Sequence, residues 1–358
     1  MSGGGHGELM PAVDIAVIGS GIAGLFLANR CAEKGLSVAL ITKKSISTSN
    51  TNWAQGGIAG VLDPNDEDAI EAHVQDTLSS GAGLCDEKVV KSVVLEAADR
   101  IRDLENHGVR FDRNLNGEYD RVREGGHSNR RILHSKDATG AEIERALTKS
   151  ASNEINGDFM IYENWMAVDL IQREYGNPKK GIIGLWCLSP SGIVHTLPAK
   201  SIILATGGVG FLHSSTTNPS IATGDGVAMA FRSGASIKDI EFIQFHPTSL
   251  VNDDSKPFLI TEAMRGKGAV LMMVNDYQKW KLSKDKSPED FSFMWKYCDE
   301  GSLGTRDVVA RAIDSEIKKT GDRNPQLITC LLYTSDSADE EDSVDLTVRR
   351  IIKKKMSV

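Results

Sequence analysis

The chain has 358 residues, enough for one large domain and a second, smaller one, and its makeup (40% hydrophobic, 25% charged) is that of a soluble globular protein. A net charge of −8 gives no reason to expect a nucleic-acid partner, and no apolar run approaches the roughly 20 residues that span a bilayer, so no membrane association is expected either. Five cysteines (Cys31, Cys85, Cys187, Cys298, Cys330), odd in number and without a CxxC pair, argue against a disulfide framework or a zinc site, and the expected setting is a reducing, cytoplasmic one with no metal.

Residues 1–11 lack the apolar core of a signal peptide and the Arg/Ser-rich character of a transit peptide, and read as a disordered glycine-rich leader. Residues 13–18 (VDIAVI) are a nearly continuous apolar run, as a buried parallel strand requires. They lead into Gly19-Ser20-Gly21-Ile22-Ala23-Gly24, then a helical pattern over residues 25–34, a stop at Gly35 and a second strand over 37–42 (SVALIT). In this strand–turn–helix–strand setting GxGxxG becomes a credible dinucleotide fingerprint. Gly19 permits the tight turn, Gly21 admits a pyrophosphate to the backbone, and Gly24 lets helix and strand pack closely. The helix N-terminus then offers N–H groups and partial positive charge to the phosphates, with Ser20 beside them. The acidic residue that usually ends the second strand is replaced by Thr42, Lys43 and Lys44, which leaves NAD, NADP and FAD open at this point.

Residues 49–60 (SNTNWAQGGIAG) bring small residues and glycines that let backbone amides approach a flat ring system. Here the sequence resembles the succinate dehydrogenase/fumarate reductase flavoprotein superfamily, whose members carry AQGG beside the flavin ring. The resemblance implies an FAD site that uses Lys43, Asn50, Thr51, Ala54, Gln55, Gly56 and Gly57. It also implies non-covalent binding, because members that tether FAD have a histidine where this chain has Asn50. Further along, residues 123–134 (REGGHSNRRILH) and Asp137-Ala138-Thr139-Gly140 resemble the aspartate oxidase branch, whereas succinate and fumarate enzymes usually carry an uncharged FGG-type loop. Aspartate has an ammonium group where succinate has only hydrogen, and Glu124 is suited to pair with it.

Residues 201–210 (SIILATGGVG) are an apolar strand ending in Ala205-Thr206-Gly207-Gly208, which in two-dinucleotide-fold flavoproteins returns the chain to FAD. Thr223-Gly224-Asp225-Gly226 is a further mark of the superfamily, with Asp225 expected to cap a helix running to Gly234. Residues 241–248 (EFIQFHPT) alternate as a strand does, which would turn Gln244 and His246 to one face. Residues 259–266 (LITEAMRG) add Thr261, Glu262 and Arg265, and 305–312 (TRDVVARA) place Arg306 and Arg311 at the start of a helix. A lone histidine is more often structural, and Glu262 with Arg265 reads equally well as an i,i+3 helical pair. The order of these stretches is that of the superfamily's capping region. By that resemblance Gln244, His246, Thr261 and Glu262 bind the substrate, and Arg306 is the proton-transfer residue near its C3. An arginine, with an ordinary pKa of about 12.5 or above, could equally act as an electrostatic clamp.

The expected fold is α/β: an FAD-binding, Rossmann-like dinucleotide fold over residues 12–239 with an inserted α+β capping region over 240–329. The implied reaction is oxidation of L-aspartate to iminoaspartate, with oxygen or fumarate as electron acceptor and quinolinate synthase as the next enzyme in NAD biosynthesis. The alternatives are a fumarate reductase or succinate dehydrogenase-type flavoprotein and a non-catalytic flavin-binding fragment. Residues 330–358 combine an acidic run with a basic end and resemble the conceptual translation of a sequencing-library adapter, so they are expected not to belong to the fold. The family continues with a further substrate histidine and arginine, a last FAD-contacting segment and a helical domain. A truncated chain of low activity is therefore the expectation.

Overall fold

The computed structural model describes residues 7–153, 158–250, 257–266, 268–283, 285–320 and 327–330. A short strand β1 (Glu8–Leu9) precedes β2 (Val13–Ile18), which runs into helix α1 (Ile22–Glu33) and returns as β3 (Val38–Thr42), parallel to β2 with Ile15 opposite Val38. Every residue of β3 is buried, as its unbroken apolar run requires for a strand covered on both faces. Residues Glu8 and Leu9, expected to lie in a disordered leader, instead pair in parallel with a later strand.

The chain then leaves the sheet through β4 (Ile58–Ala59), α2 (Glu67–Ser80), α3 (Glu87–Asn106), β5 (Arg121–Val122), β6 (Ile132–Leu133) and α4 (Thr139–Asn153). Asp66 and Asp86 cap α2 and α3, each accepting backbone N–H bonds from the first turn, which satisfies donors the helix cannot. β7 (Phe159–Glu163) rejoins the main sheet beside β3. β8 (Met166–Gln172), β9 (Ile182–Leu188) and β10 (Val194–Leu204) follow as an antiparallel meander that the sequence reading did not anticipate. The order is β7-β3-β2-β10-β9-β8. β10 joins the two styles: Val194 to Pro198 pair antiparallel with β9, while Ala199 to Leu204 pair parallel with β2.

Helices α1, α3 and α4 cover one face of the parallel part, where Leu25, Leu40, Ile101, Leu133, Leu147 and Phe159 form a core. The other face is closed by the meander and by α5 (Asp225–Arg232), through Ile41, Leu185, Leu197 and Met229. Each such fully buried side chain contributes roughly 1.5–3 kcal/mol from removal of apolar area from water.

Beyond α5 come β11 (Ser249–Leu250), β12 (Phe258–Leu259), α6 (Ala263–Gly266), β13 (Val270–Met273), α7 (Val274–Leu282), α8 (Arg306–Thr320) and β14 (Leu327–Cys330). A third core gathers Leu271, Phe293, Met294, Val309, Ala312 and Ile313. Three expectations are corrected here. Residues 242–246 form no strand, and Phe242 and Phe245 lie exposed, so the alternation has no sheet to bury it. Asp225 does not cap α5: the cap is Gly224 at φ 78°, without a side-chain bond, Asp225 stands in the first turn, and the helix ends at Arg232. Cys330, placed in the foreign tail by its charge pattern, closes β14 opposite Val270, while residues 331–358 lie outside the described residues.

Candidate functional site

The turn after β2 is shaped by close approach. Gly19 has φ 105°, and a Cβ on Gly24 would meet the Gly19 carbonyl oxygen, so α1 can pack on the strand end only with glycine there. Ser20 is buried and donates to the Ile46 carbonyl at 2.8 Å. Gly21 begins α1 with no side-chain cap, and the first amide, Ile22 N–H, donates to Thr51 Oγ1 at 2.9 Å. The Ser49–Thr51 loop is thereby laid against the helix N-terminus. From the opposite side Ala205 N–H donates to the Ile18 carbonyl at 2.9 Å, bringing Thr206 and Gly207 (φ 68°) to the same rim.

These pieces line one cleft: Gly19, Ser20, Gly21, Lys43, Asn50, Thr51, Ala205, Thr206, Gly207 and Asp225 all face it. Lys43 donates to Thr223 Oγ1 at 2.7 Å and is ion-paired with Asp225. Burial opposes ionisation of Asp225, but its bonds from Lys43 and Thr223 bring its pKa below the usual carboxylate value. The carboxylate missing at the end of β3 is thus present in space, delivered by α5. Gly24 acts in packing and does not line the cleft, nor does Gly208.

Ala54, Gln55, Gly56 and Gly57 line neither this cleft nor a second, charged one, but Gly56 lies close to Glu124. Gln55 Oε1 is buried and has no partner, and the backbone at Gly57 helps hold down the pKa of Glu124. A Cβ on Gly56 would stand 3.7 Å from the Glu124 carboxylate. The segment is braced from behind by α4, where Gly140 N–H donates to the Ala54 carbonyl at 3.0 Å. The features fit a dinucleotide with a flat ring: a helix N-terminus whose N-cap Gly21 brings no side chain, a glycine cradle, and an amide oxygen left without a donor. Gly19, Ser20, Gly21, Lys43 and Asp225 would hold the nucleotide end, and Asn50, Thr51 and Gln55 to Gly57 the ring end.

The second cleft is charged. Glu124, Gln244, Glu262 and Arg306 line it, with Gly125, His127, Thr305 and Arg311. Arg306 Nε is in ion-pair contact with Glu262, its Nη1 donates to Gln244 Oε1 at 3.2 Å, and its Nη2 lies 4.0 Å from Glu124 Oε2. Glu262 is buried and also accepts from Arg265 Nη2 at 2.7 Å. Arg265, buried too, donates to the Ser302 carbonyl at 2.9 Å and so ties Glu262 to the chain entering α8. Burial, and then the neighbouring charge of Glu262, raise the pKa of Glu124; burial lowers that of Arg265.

The structure therefore brings Glu124, Gln244 and Arg306 together. Glu262, expected to contact substrate, has both oxygens engaged by guanidinium groups and is better placed to orient Arg306 than to bind an anion. His246 lines the adjoining cleft with Gln244, and its Nδ1 lies 3.0 Å from the Thr248 carbonyl. Burial and then Arg306 push its pKa down to about 4, so the free imidazole is neutral at pH 7. Thr261 is half-buried in the turn into α6, its carbonyl accepting from Met264 N–H at 3.3 Å. Arg311 is exposed and paired with Asp307 at 2.8 Å.

Two buried groups were not singled out from sequence. Glu144 on α4 accepts from Ser49 Oγ at 3.0 Å, directly behind the cofactor loop, and burial pushes its pKa up to about 7. It shares the helix face of Ile143, Leu147 and Ala151, and a carboxylate on that apolar stripe was the available signal. Arg131, also buried, pairs with Asp76 at 2.8 Å under the loop that carries Glu124.

Similarity to known proteins agrees with this geometry. The chain is 41% identical over 332 residues to the chloroplastic L-aspartate oxidase 2-b of Nicotiana tabacum, covering 88% of this chain and 47% of that protein. It is 43% identical over 317 residues to the L-aspartate oxidase of Pseudomonas aeruginosa, covering 86% and 55%. Among solved structures, the quinol fumarate reductase of E. coli matches with a TM-score of 0.74 at 28% identity, covering 87% of this chain and 51% of that one. The chain spans about half the length of the curated relatives it matches. The family model for the FAD binding domain matches residues 14–352, so the chain belongs to that family and takes FAD as its cofactor.

Proposed function

We propose that this chain carries the FAD site and part of the substrate site of an enzyme that oxidises L-aspartate to iminoaspartate. The observation that carries the reading is the placing of a buried carboxylate, Glu124, 4.0 Å from the guanidinium of Arg306 in one cleft, with the Gln55–Gly56–Gly57 segment against it. A substrate with both an ammonium group and carboxylates suits that pairing of opposite charges; succinate has no ammonium and leaves Glu124 with only the longer contact to Arg306. The names of the relatives support the same substrate.

The chemistry supplied by bound FAD is acceptance of two electrons, which oxygen or fumarate then takes up. The chain's own residues orient the substrate. Glu124 holds the ammonium group, and Arg306 with Gln244 faces a carboxylate and C3. Glu262 and Arg265 fix the Arg306 guanidinium, and His246 and Thr261 complete the carboxylate contacts. Asn50 offers no imidazole for a covalent tether, so FAD is held non-covalently. Residues 240–329 act as the capping region, and the product passes to quinolinate synthase in the cytoplasm.

The test is oxygen consumption by the purified chain supplemented with FAD. The reading expects L-aspartate to support peroxide formation and succinate not to. Turnover of succinate alone would overturn it in favour of a fumarate reductase-type enzyme.

A further inference from the structure

We infer that His127 is a further substrate contact, an imidazole held in its Nε2–H tautomer by Arg131 and presented as a hydrogen-bond donor to a carboxylate of the substrate bound beside Glu124. This rests on the reading of the cleft as an amino-dicarboxylate site.

His127 lines the charged cleft with Glu124 and Arg306 and rides the same tight turn as Glu124: its backbone N–H donates to the Glu124 carbonyl at 3.2 Å, with Gly126 at φ 80° between them. Its Nδ1 faces Arg131 Nη1 at 3.4 Å. A guanidinium has only donors, so Nδ1 must carry the lone pair and the proton of the neutral ring sits on Nε2. Arg131 cannot readily turn away. It is 3% exposed, and Asp76 takes its Nη1 at 2.8 Å while Ser128 Oγ takes its Nη2 at 3.0 Å. Asp76 in turn accepts from both Ser128 N–H and Oγ–H at 2.8 Å, which fixes the turn from beneath.

The groups that face His127 are Arg131, Asp76, Glu262, Arg123 and the ring of His73, whose centroid is 5.9 Å away. Burial, and then the charge of Arg131, disfavour protonation of His127. That matters in a cleft holding two carboxylates: an imidazolium here would pair with Glu124 or Glu262 and compete with the substrate ammonium. A neutral ring donates one hydrogen bond and adds no charge. Glu124 and His127, three residues apart on one turn, then read the two charged ends of the same ligand.

The experiment is nitrogen–proton correlation spectroscopy on the full chain made with isotope-labelled histidine, with His127 assigned by loss of its signals in His127→Gln. Near neutral pH the ring is expected to be the Nε2–H form, and Arg131→Met, which removes the donor facing Nδ1 but leaves the burial, is expected to admit the Nδ1–H tautomer and to raise the pKa only part of the way. L-Aspartate is then added as the probe, and Nε2 of His127 is expected to shift together with His246. His127→Phe should weaken that binding roughly tenfold, and His127→Gln, which keeps an N–H donor, should restore most of it. An Nδ1–H tautomer or ordinary titration in the parent chain overturns the inference. Movement of His246 without His127 overturns it while leaving the proposed function standing, and movement of neither removes both.

Discussion

Glu124 Oε2 lies 4.0 Å from Nη2 of Arg306, and the same guanidinium is in ion-pair contact through Nε with Glu262. Arg306 is thus held by one carboxylate, Glu262, that is itself occupied by Arg265, and faces a second, Glu124, at longer range. Replacing that longer contact with a substrate ammonium costs the chain little. The arrangement gives Glu124 and Glu262 separate duties.

Glu124→Gln removes the negative charge while keeping the shape of the side chain. Aspartate turnover should fall by roughly a hundredfold or more, since a buried cation then lacks its partner, while fumarate reduction persists. Steady-state assays of both activities on the same preparation check this. Equal loss of the two would remove the ammonium-pairing role.

Lys43 and Asp225 form an ion pair on the wall of the nucleotide cleft. Lys43→Met leaves Asp225 as an unpaired negative charge on the wall of a cleft that takes an anionic dinucleotide, so the FAD dissociation constant should rise by roughly tenfold. The double variant Lys43→Met/Asp225→Asn should recover part of that loss. Titration followed by flavin fluorescence reads both, and strictly additive losses would show that the pair does not act as a unit.

Glu144 gives a pH signature in stability. Its folded pKa of about 7 lies above the ordinary 4.5, so the protonated form is favoured by the fold. Stability linked to Glu144 is fully present below about pH 4.5 and is lost as pH rises through about 7, a cost on the order of 3 kcal/mol once complete. Glu144→Gln cannot ionise, so its melting temperature should exceed that of the parent by a margin that grows from pH 5 to pH 8. A margin independent of pH would contradict the burial of an ionisable carboxyl behind the Ser49 loop.

What the sequence made legible was local. The turn from Gly19 to Gly24 and the buried run of β3 each encode their geometry within a few residues, through glycine sterics and apolar periodicity. The pairings that build the site join distant segments: Lys43, after β3, finds Asp225 at the start of α5, and Glu124, in a loop, meets Arg306 at the start of α8. No spacing rule states either. Residues 241–248 misled because Gln244 and His246, two apart, read as one face of a strand, yet residues 242–246 form none and Phe242 and Phe245 lie exposed. Asp225 misled for another reason. Its side chain had two uses open to it, a helix cap or a partner for a lysine, and the neighbouring Gly224 took the capping position.

The most direct test of the central claim is anaerobic mixing of the FAD-loaded chain with L-aspartate or with succinate, followed by flavin absorbance. The account predicts bleaching by L-aspartate, little or none by succinate, and loss of the aspartate response in Glu124→Gln. Bleaching by succinate that is insensitive to Glu124→Gln would contradict it.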